Sequence, residues 1–282
     1  MRLVILSGKG GTGKTTIATN LAISMGNVQL FDCDVEAPNA SLFLDVTMDN
    51  SEDVTIPVPV FDKDKCSFCR ECAKVCMYHA IAVLPDDILF FPELCHGCGG
   101  CGIVCPEDCI SEEPRTIGVI ESGKVNGIEF YQGILNIGEP LATPVIGALK
   151  KRIDDRLPAI LDAPPGTACP VIETGSGCDY GLLVTEPTPF GLHDLKLAVS
   201  LMRTLEIPFG VIVNRDGIGD GRVDDYCRDE NIKLMMKVPQ DIEIAKLYSR
   251  GIPFVTEMPE WKKRFIDLYG AIIDALKEGG GK

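Results

Sequence analysis

Basic residues are scarce in this chain: 27 lysines and arginines stand against 41 aspartates and glutamates, a formal charge of −14. Broad nucleic-acid and anionic-membrane surfaces need cationic patches, so this balance argues against both, and no nucleic-acid partner is expected. Long apolar runs are missing as well. The stretch Leu3 to Leu6 gives way at once to polar, glycine-rich sequence. A secretory core needs roughly 7–15 apolar residues and a membrane span about 20. The expectation is a cytoplasmic protein with no targeting segment and no stable membrane anchor. No solenoid period is visible, and a pair of cysteine runs is the one clear internal repeat.

What is present is apolar residues and cysteine. Apolar residues make up 45% of the 282, enough for one large buried core with room for a small second module. Thirteen cysteines in a reducing compartment point to metal or catalysis rather than disulfides.

The N-terminal motif reads strand, glycine-rich turn, helix. Leu3 to Leu6 form a short buried strand, followed by Ser7, Gly8, Lys9, Gly10, Gly11, Thr12, Gly13, Lys14, Thr15 and Thr16. The apolar spacing of Ile17, Leu21, Ala22 and Met25 then reads as a helix. In this context GxxxxGK[ST] is a phosphate-binding loop. Its glycines let backbone N–H groups turn toward phosphate oxygens, and the helix N-terminus adds partial positive charge. Lys14 is expected at the β- and γ-phosphates of ATP and Thr15 at Mg²⁺.

Lys9 is a second lysine within that loop, and KGGTGKTT resembles the deviant Walker A motif of the MinD/ParA/Mrp family of ATPases. The resemblance implies a homodimer, because in that family the extra lysine crosses to the partner's nucleotide. It also implies Asp34 as the residue that positions the attacking water, with Lys9 and Lys14 neutralising charge on the phosphates. Asp32, ending the second strand, and Asp162, in the Walker-B-like AILDAPPG, would serve the Mg²⁺ shell. Asn39 sits where the family's first switch carries an asparagine. Asn214 matches the position that reads the adenine edge, and Pro239 lies in the loop that closes over the base. The strands at 181–185 and 210–215 alternate with helices near 189–204, 222–230 and 241–250. That alternation gives an α/β P-loop NTPase with a mostly parallel sheet flanked by helices.

The cysteine runs are Cys66-x2-Cys69-x2-Cys72-x3-Cys76 and Cys95-x2-Cys98-x2-Cys101-x3-Cys105-Pro106. Residues 57–116 resemble a bacterial two-cluster ferredoxin, a small α+β domain inserted between two parts of the ATPase, 1–56 and 117–282. The resemblance implies two [4Fe–4S] clusters with crossed ligands. Cys66, Cys69, Cys72 and Cys105 would hold one, and Cys95, Cys98, Cys101 and Cys76 the other. Met77 stands where the ferredoxin pattern has proline, which removes no ligand. Zinc is the competing reading, but its sites use about four ligands at wider separations. A hairpin is expected at 80–91, and a second at 117–131 turning at Ser122-Gly123-Lys124.

Of the remaining cysteines, Cys33, Cys109 and Cys227 read as small buried hydrophobes. Cys169 follows the second switch, as does a cluster ligand in the related nitrogenase iron protein, and Cys178 is close to it in sequence. The final helix (Trp261, Phe265, Leu268, Ile272, Leu276) reads as a packed one, and the Gly279-Gly280-Gly281 tail as flexible. The leading function expected is an ATPase whose nucleotide state gates electron transfer, or metal-cofactor assembly, with a protein partner. The alternative is an iron–sulfur cluster carrier or scaffold of the Mrp type, with cargo at Cys169 and Cys178. A MinD/ParA-like positioning role comes third.

Overall fold

Leu3, Val4, Ile5 and Leu6 are fully buried because they form the middle of a sheet covered on both faces. The computed structural model describes residues 1–279; the Gly279–Gly281 tail otherwise lies outside the described residues. The chain opens with β1 (Arg2–Leu6), α1 (Lys14–Met25) and β2 (Val28–Asp32), then passes a 3-10 turn at Ala40–Phe43 into β3 (Asn50–Phe61). The cysteine-rich stretch follows, with α2 (Glu71–Val75), β4 (Ile81–Val83), β5 (Ile88–Phe90) and α3 (Gly100–Ile103). The chain returns along β6 (Ile110–Val125) and β7 (Ile128–Leu135) to α4 (Thr143–Lys150), β8 (Ala159–Asp162) and α5 (Cys169–Gly175). Next come β9 (Tyr180–Thr185), α6 (Pro189–Thr204), β10 (Phe209–Asp216), α7 (Arg222–Asp229) and β11 (Leu234–Pro239). Three helices close the described chain: α8 (Ile242–Ser249), α9 (Phe254–Glu257) and α10 (Pro259–Gly279).

Among the described residues the main sheet has the order β11-β10-β9-β1-β8-β2-β7-β6-β3. All pairs from β11 to β7 are parallel, and β6 and β3 add antiparallel strands at one edge. Side chains of α4, α5, α6 and α7 fill one face, among them Val145, Leu149, Val171, Leu195, Val199, Met202 and Val223. The other face is covered by α1, α9 and α10 through Ile17, Leu21, Phe254, Phe265 and Ile272. The apolar stripe of α10 is thus spent on the core. No helix among the described residues is long and apolar enough to cross a membrane.

Two features differ from the sequence reading. The β6–β7 hairpin turns at Asn126-Gly127, both with positive φ (49° and 82°), and not at residues 122–124, which lie in β6. Asn-Gly is the dipeptide that a tight primed turn demands, whereas Gly123 is small for another reason: a Cβ there would lie 2.1 Å from the Thr47 carbonyl oxygen. The second feature is β3. Its ladder with β6 runs unbroken in sequence from Asn50 opposite Ser122 to Phe61 opposite Ile110, with one register shift at Val54/Thr55. The prolines at the expected boundary, Pro57 and Pro114, are paired with each other inside that ribbon.

Candidate nucleotide site and cysteine cavities

The strand order brings the chemistry to the C-terminal edge of the parallel sheet, where α/β proteins bind ligands. The loop after β1 leads directly into α1. Gly11 and Gly13 hold φ of 79° and 96°, conformations that exclude an ordinary side chain. Gly8 is packed against α6 so closely that a Cβ would lie 2.2 Å from the Asp194 carbonyl oxygen. Asn214 Nδ2 donates to the Thr12 carbonyl at 2.8 Å, fixing the loop from β10. A cleft of about 460 Å³ opens here, in the usual range for small-molecule sites. Gly10, Gly11, Gly13, Lys14, Thr15, Thr16, Asp34, Asn39, Asn214 and Pro239 all line it. Gly8, Lys9, Thr12, Asp32 and Asp162 stand behind or beside that lining.

The carboxylates divide their work. Asp32 and Asp162 are in register on adjacent strands, and both are buried. Asp32 Oδ2 accepts the N–H groups of Asn39 (2.8 Å) and Ala40 (2.9 Å), and Oδ1 accepts that of Asp34 (3.1 Å). Its oxygens therefore hold the 34–40 loop. Burial raises its pKa to about 6 against the pull of those donors. Asp162 has no such support: neither oxygen has a hydrogen-bond partner, and burial, then the Asp32 charge, pushes its pKa up to about 8. The Thr15 hydroxyl and the Lys14 ammonium draw it partly back, the hydroxyl without hydrogen-bond geometry. A buried carboxylate with two unpartnered oxygens fits a divalent cation, which Thr15 and Asp162 would hold. Burial also raises the pKa of Asp34, while Lys14 opposes it.

Lys9 pairs with Glu186 just beyond β9 (Nζ to Oε2, 3.1 Å), and Arg215 meets the same carboxylate at 2.6 Å. Neither Glu186 nor Arg215 was singled out by the sequence, since their partner in the loop lies far away along the chain. Ile244 and Tyr248 on α8, which help wall the cleft, were also missed. Their only sequence signal is Asp241, which caps α8 by accepting the Glu243 N–H at 2.7 Å.

The eight run cysteines line two separate cavities. Cys66, Cys69, Cys72 and Cys105 line one, and Cys76, Cys95, Cys98 and Cys101 line the other. The fourth cysteine of each run has crossed to the other run's cavity. Backbone N–H groups point at sulfur in both: Phe68 to Cys66 (3.3 Å), Ala80 to Cys76 (3.3 Å) and Gly97 to Cys95 (3.5 Å). Soft thiolates in fours with N–H donors suit a [4Fe–4S] cluster. Among the described residues no three Cys, His, Asp or Glu side chains converge as they would on one ion. Cys169 is exposed at the start of α5, while Cys178 is buried beyond its other end, its thiol directed at the Thr174 carbonyl (3.5 Å). Within one chain these two cysteines do not form a site.

The sequence pattern of the CobQ/CobB/MinD/ParA nucleotide-binding domain matches residues 3–254. The chain belongs to this family. An uncharacterized protein of Methanocaldococcus jannaschii is 32% identical over 267 residues, covering 90% of this chain and 91% of its own length. An iron–sulfur cluster carrier protein of Pyrococcus horikoshii is 26% identical over 308 residues, covering all of this chain and 89% of its own. The crystal structure of the cell division ATPase MinD of Pyrococcus furiosus superimposes with a TM-score of 0.59 at 20% identity, covering 97% of this chain and 98% of the other. That likeness establishes the family's fold over the sheet and its flanking helices.

Proposed function

We propose that this chain is an Mg²⁺-dependent ATPase that acts as a homodimer and carries two [4Fe–4S] clusters in its cysteine module, released to an acceptor protein under nucleotide control. The observation that carries the proposal is the path from the nucleotide cleft to the cysteines. Asp32 holds Asn39 and Ala40, that loop leads through the 3-10 turn into β3, and β3 with β6 bears residues 62–109 at its far end. The family's nucleotide-binding domain and the relatives named as cluster carriers support this reading. Cys169 and Cys178 do not come together within one chain, and this reading places the carried clusters on the eight run cysteines.

In the nucleotide site, Lys14 and the loop N–H groups bind the phosphates, and Thr15 and Asp162 hold the metal. Asp34 orients water, and Lys9 leaves Glu186 to reach the partner's nucleotide. Magnesium, when bound, neutralises charge on the phosphate oxygens.

A second reading, gated electron delivery, is favoured by the crossed ligand sets. Freeing either cluster would open both cysteine runs, whereas electrons leave without breaking a bond. One experiment separates the two. Iron-loaded protein is mixed anaerobically with the apo form of a [4Fe–4S] hydro-lyase, with and without Mg-ATP. Activation of the hydro-lyase at least ~10-fold faster with ATP, and lost in Lys14→Ala, is expected of a carrier. Clusters that stay in place while ATP shifts their potential would overturn that reading in favour of electron delivery; neither response would sink both.

A further inference from the structure

The two cysteine cavities share one plan, and one of the positions at which they differ lies beside a crossing ligand. After Cys76 the chain turns through His79 (φ 54°) into Ala80 and β4; after Cys105 it turns through Asp108 (φ 49°) into Cys109 and β6. The His79 N–H donates to the Cys76 carbonyl at 3.1 Å, and the Asp108 N–H to that of Cys105 at 3.5 Å. Ala80 and Cys109 are therefore equivalent, four residues after the crossing cysteine. Both are buried, at 1% and 4% exposure, and each lines its own cavity. Ala80 offers a methyl group. Cys109 offers a fifth thiol, with its sulfur 3.4 Å from that of Cys105.

We propose that the Cys109 thiol is a positioning residue that makes the two clusters unequal. This rests on the reading that the eight run cysteines hold two clusters. A ligand thiolate gains electron density when its cluster is reduced, and a hydrogen bond donated to it stabilises the reduced form. Cys105 would accept one S–H bond that Cys76, facing Ala80, cannot receive. The S–H bond thereby raises the reduction potential of the cluster held by Cys66, Cys69, Cys72 and Cys105 above the value it would have with alanine at that position. Burial strengthens the difference, since water does not compete for the sulfur.

The test is an anaerobic titration with dithionite, one electron per cluster, followed by electron paramagnetic resonance on the full-length, iron-loaded chain. In wild type two potentials are expected. Cys109→Ala should lower one of them by about threefold in the reduction equilibrium, roughly half of the 59 mV that a tenfold change represents, and leave the other unmoved. Cys109→Ser, which keeps an O–H donor, should restore most of the difference. Ala80→Cys should raise the other potential. Two clusters per chain with potentials that Cys109→Ala leaves unmoved would overturn this inference alone. Wild-type protein that takes up no iron would overturn the cluster reading with it. Should Cys109→Ala fail to load, Ala80→Cys decides: a raised second potential supports the proposal, and an unmoved one refutes it.

Discussion

The nucleotide domain and the cysteine module are held together by different forces. The first buries apolar side chains on both faces of its sheet, from Val145 and Leu195 on one side to Leu21 and Phe265 on the other. At about 25 cal/mol per Å² of apolar surface, cores of that size outweigh chain entropy unaided. The module gathers only Cys72, Ile81 and Ile88 into a buried cluster, while Met77 and Ile103 stand 82% and 85% exposed. A core that small cannot offset the ordering of the chain around it. One region is folded by what it excludes from water; the other, on the proposed reading, would be folded by the clusters it ligates.

The sharpest way to break this comparison is to remove the ligated group. Stripping iron with a chelator should abolish amide hydrogen-exchange protection across residues 66–105, because metal-binding energy there is folding energy. Protection in β1, β8 and β9 should persist, and ADP affinity should stay within about threefold. Retained protection in the stripped module would show that its apolar contacts suffice.

The next test lies within the nucleotide domain, at its least comfortable point. In protein free of metal and nucleotide, Asp32 and Asp162 bind protons more tightly folded than unfolded, with pKa values of about 6 and about 8 against an ordinary 3.8. The folded state thus carries extra protons between about pH 4 and pH 8, and stability falls as pH rises through that window. The slope is up to roughly 1.4 kcal/mol per pH unit for each group ionising in the unfolded state only. Urea melts in EDTA at pH 5 to 8 should show it, and Asp162→Asn should flatten it while lowering Mg²⁺-dependent turnover on the order of 100-fold. A pH-independent wild type would mean that the carboxylates find other partners.

The smallest expected effect concerns the Lys9–Glu186 pair. Glu186→Gln should change stability by less than about 1 kcal/mol, because the amide oxygen can still accept from Arg215. It should strengthen ATP-dependent self-association about two- to fivefold by releasing Lys9. Sedimentation velocity with a non-hydrolysable ATP analogue measures it, and equal or weaker association would deny the pair any restraining role.

Much of the nucleotide domain was legible because its signals are local. GKGGTGKTT, the buried strands and the apolar spacing of α6 and α10 each lie within one short stretch. The cysteine spacing was legible for the same reason, since each run lies within a dozen residues. The β3–β6 ribbon was not read, although Val54, Ile56, Val58 and Val60 alternate at the strand period. Pro57 and Pro59 masked it by looking like a joint. Pairings between distant segments left no trace either: Lys9 with Glu186, and Asn214 with Thr12. Nothing in the CMYHA and CPEDC segments marked Cys109 as more than a buried thiol, because its meaning comes from the cavity it shares.

The prolines of the ribbon bear on how copies of this protein meet one another. Pro57 faces Pro114 across the ladder, and Pro59 faces Glu112. Opposed prolines can only occupy positions whose amide side points away from the neighbouring strand, so neither flank of the ribbon offers a donor there. With Glu52 and Asp53 further along β3, this margin repels the strand-to-strand zipping by which sheets coalesce into larger aggregates. A margin that cannot recruit another strand leaves the protein free to store a long, bare ribbon at its border in the crowded cell.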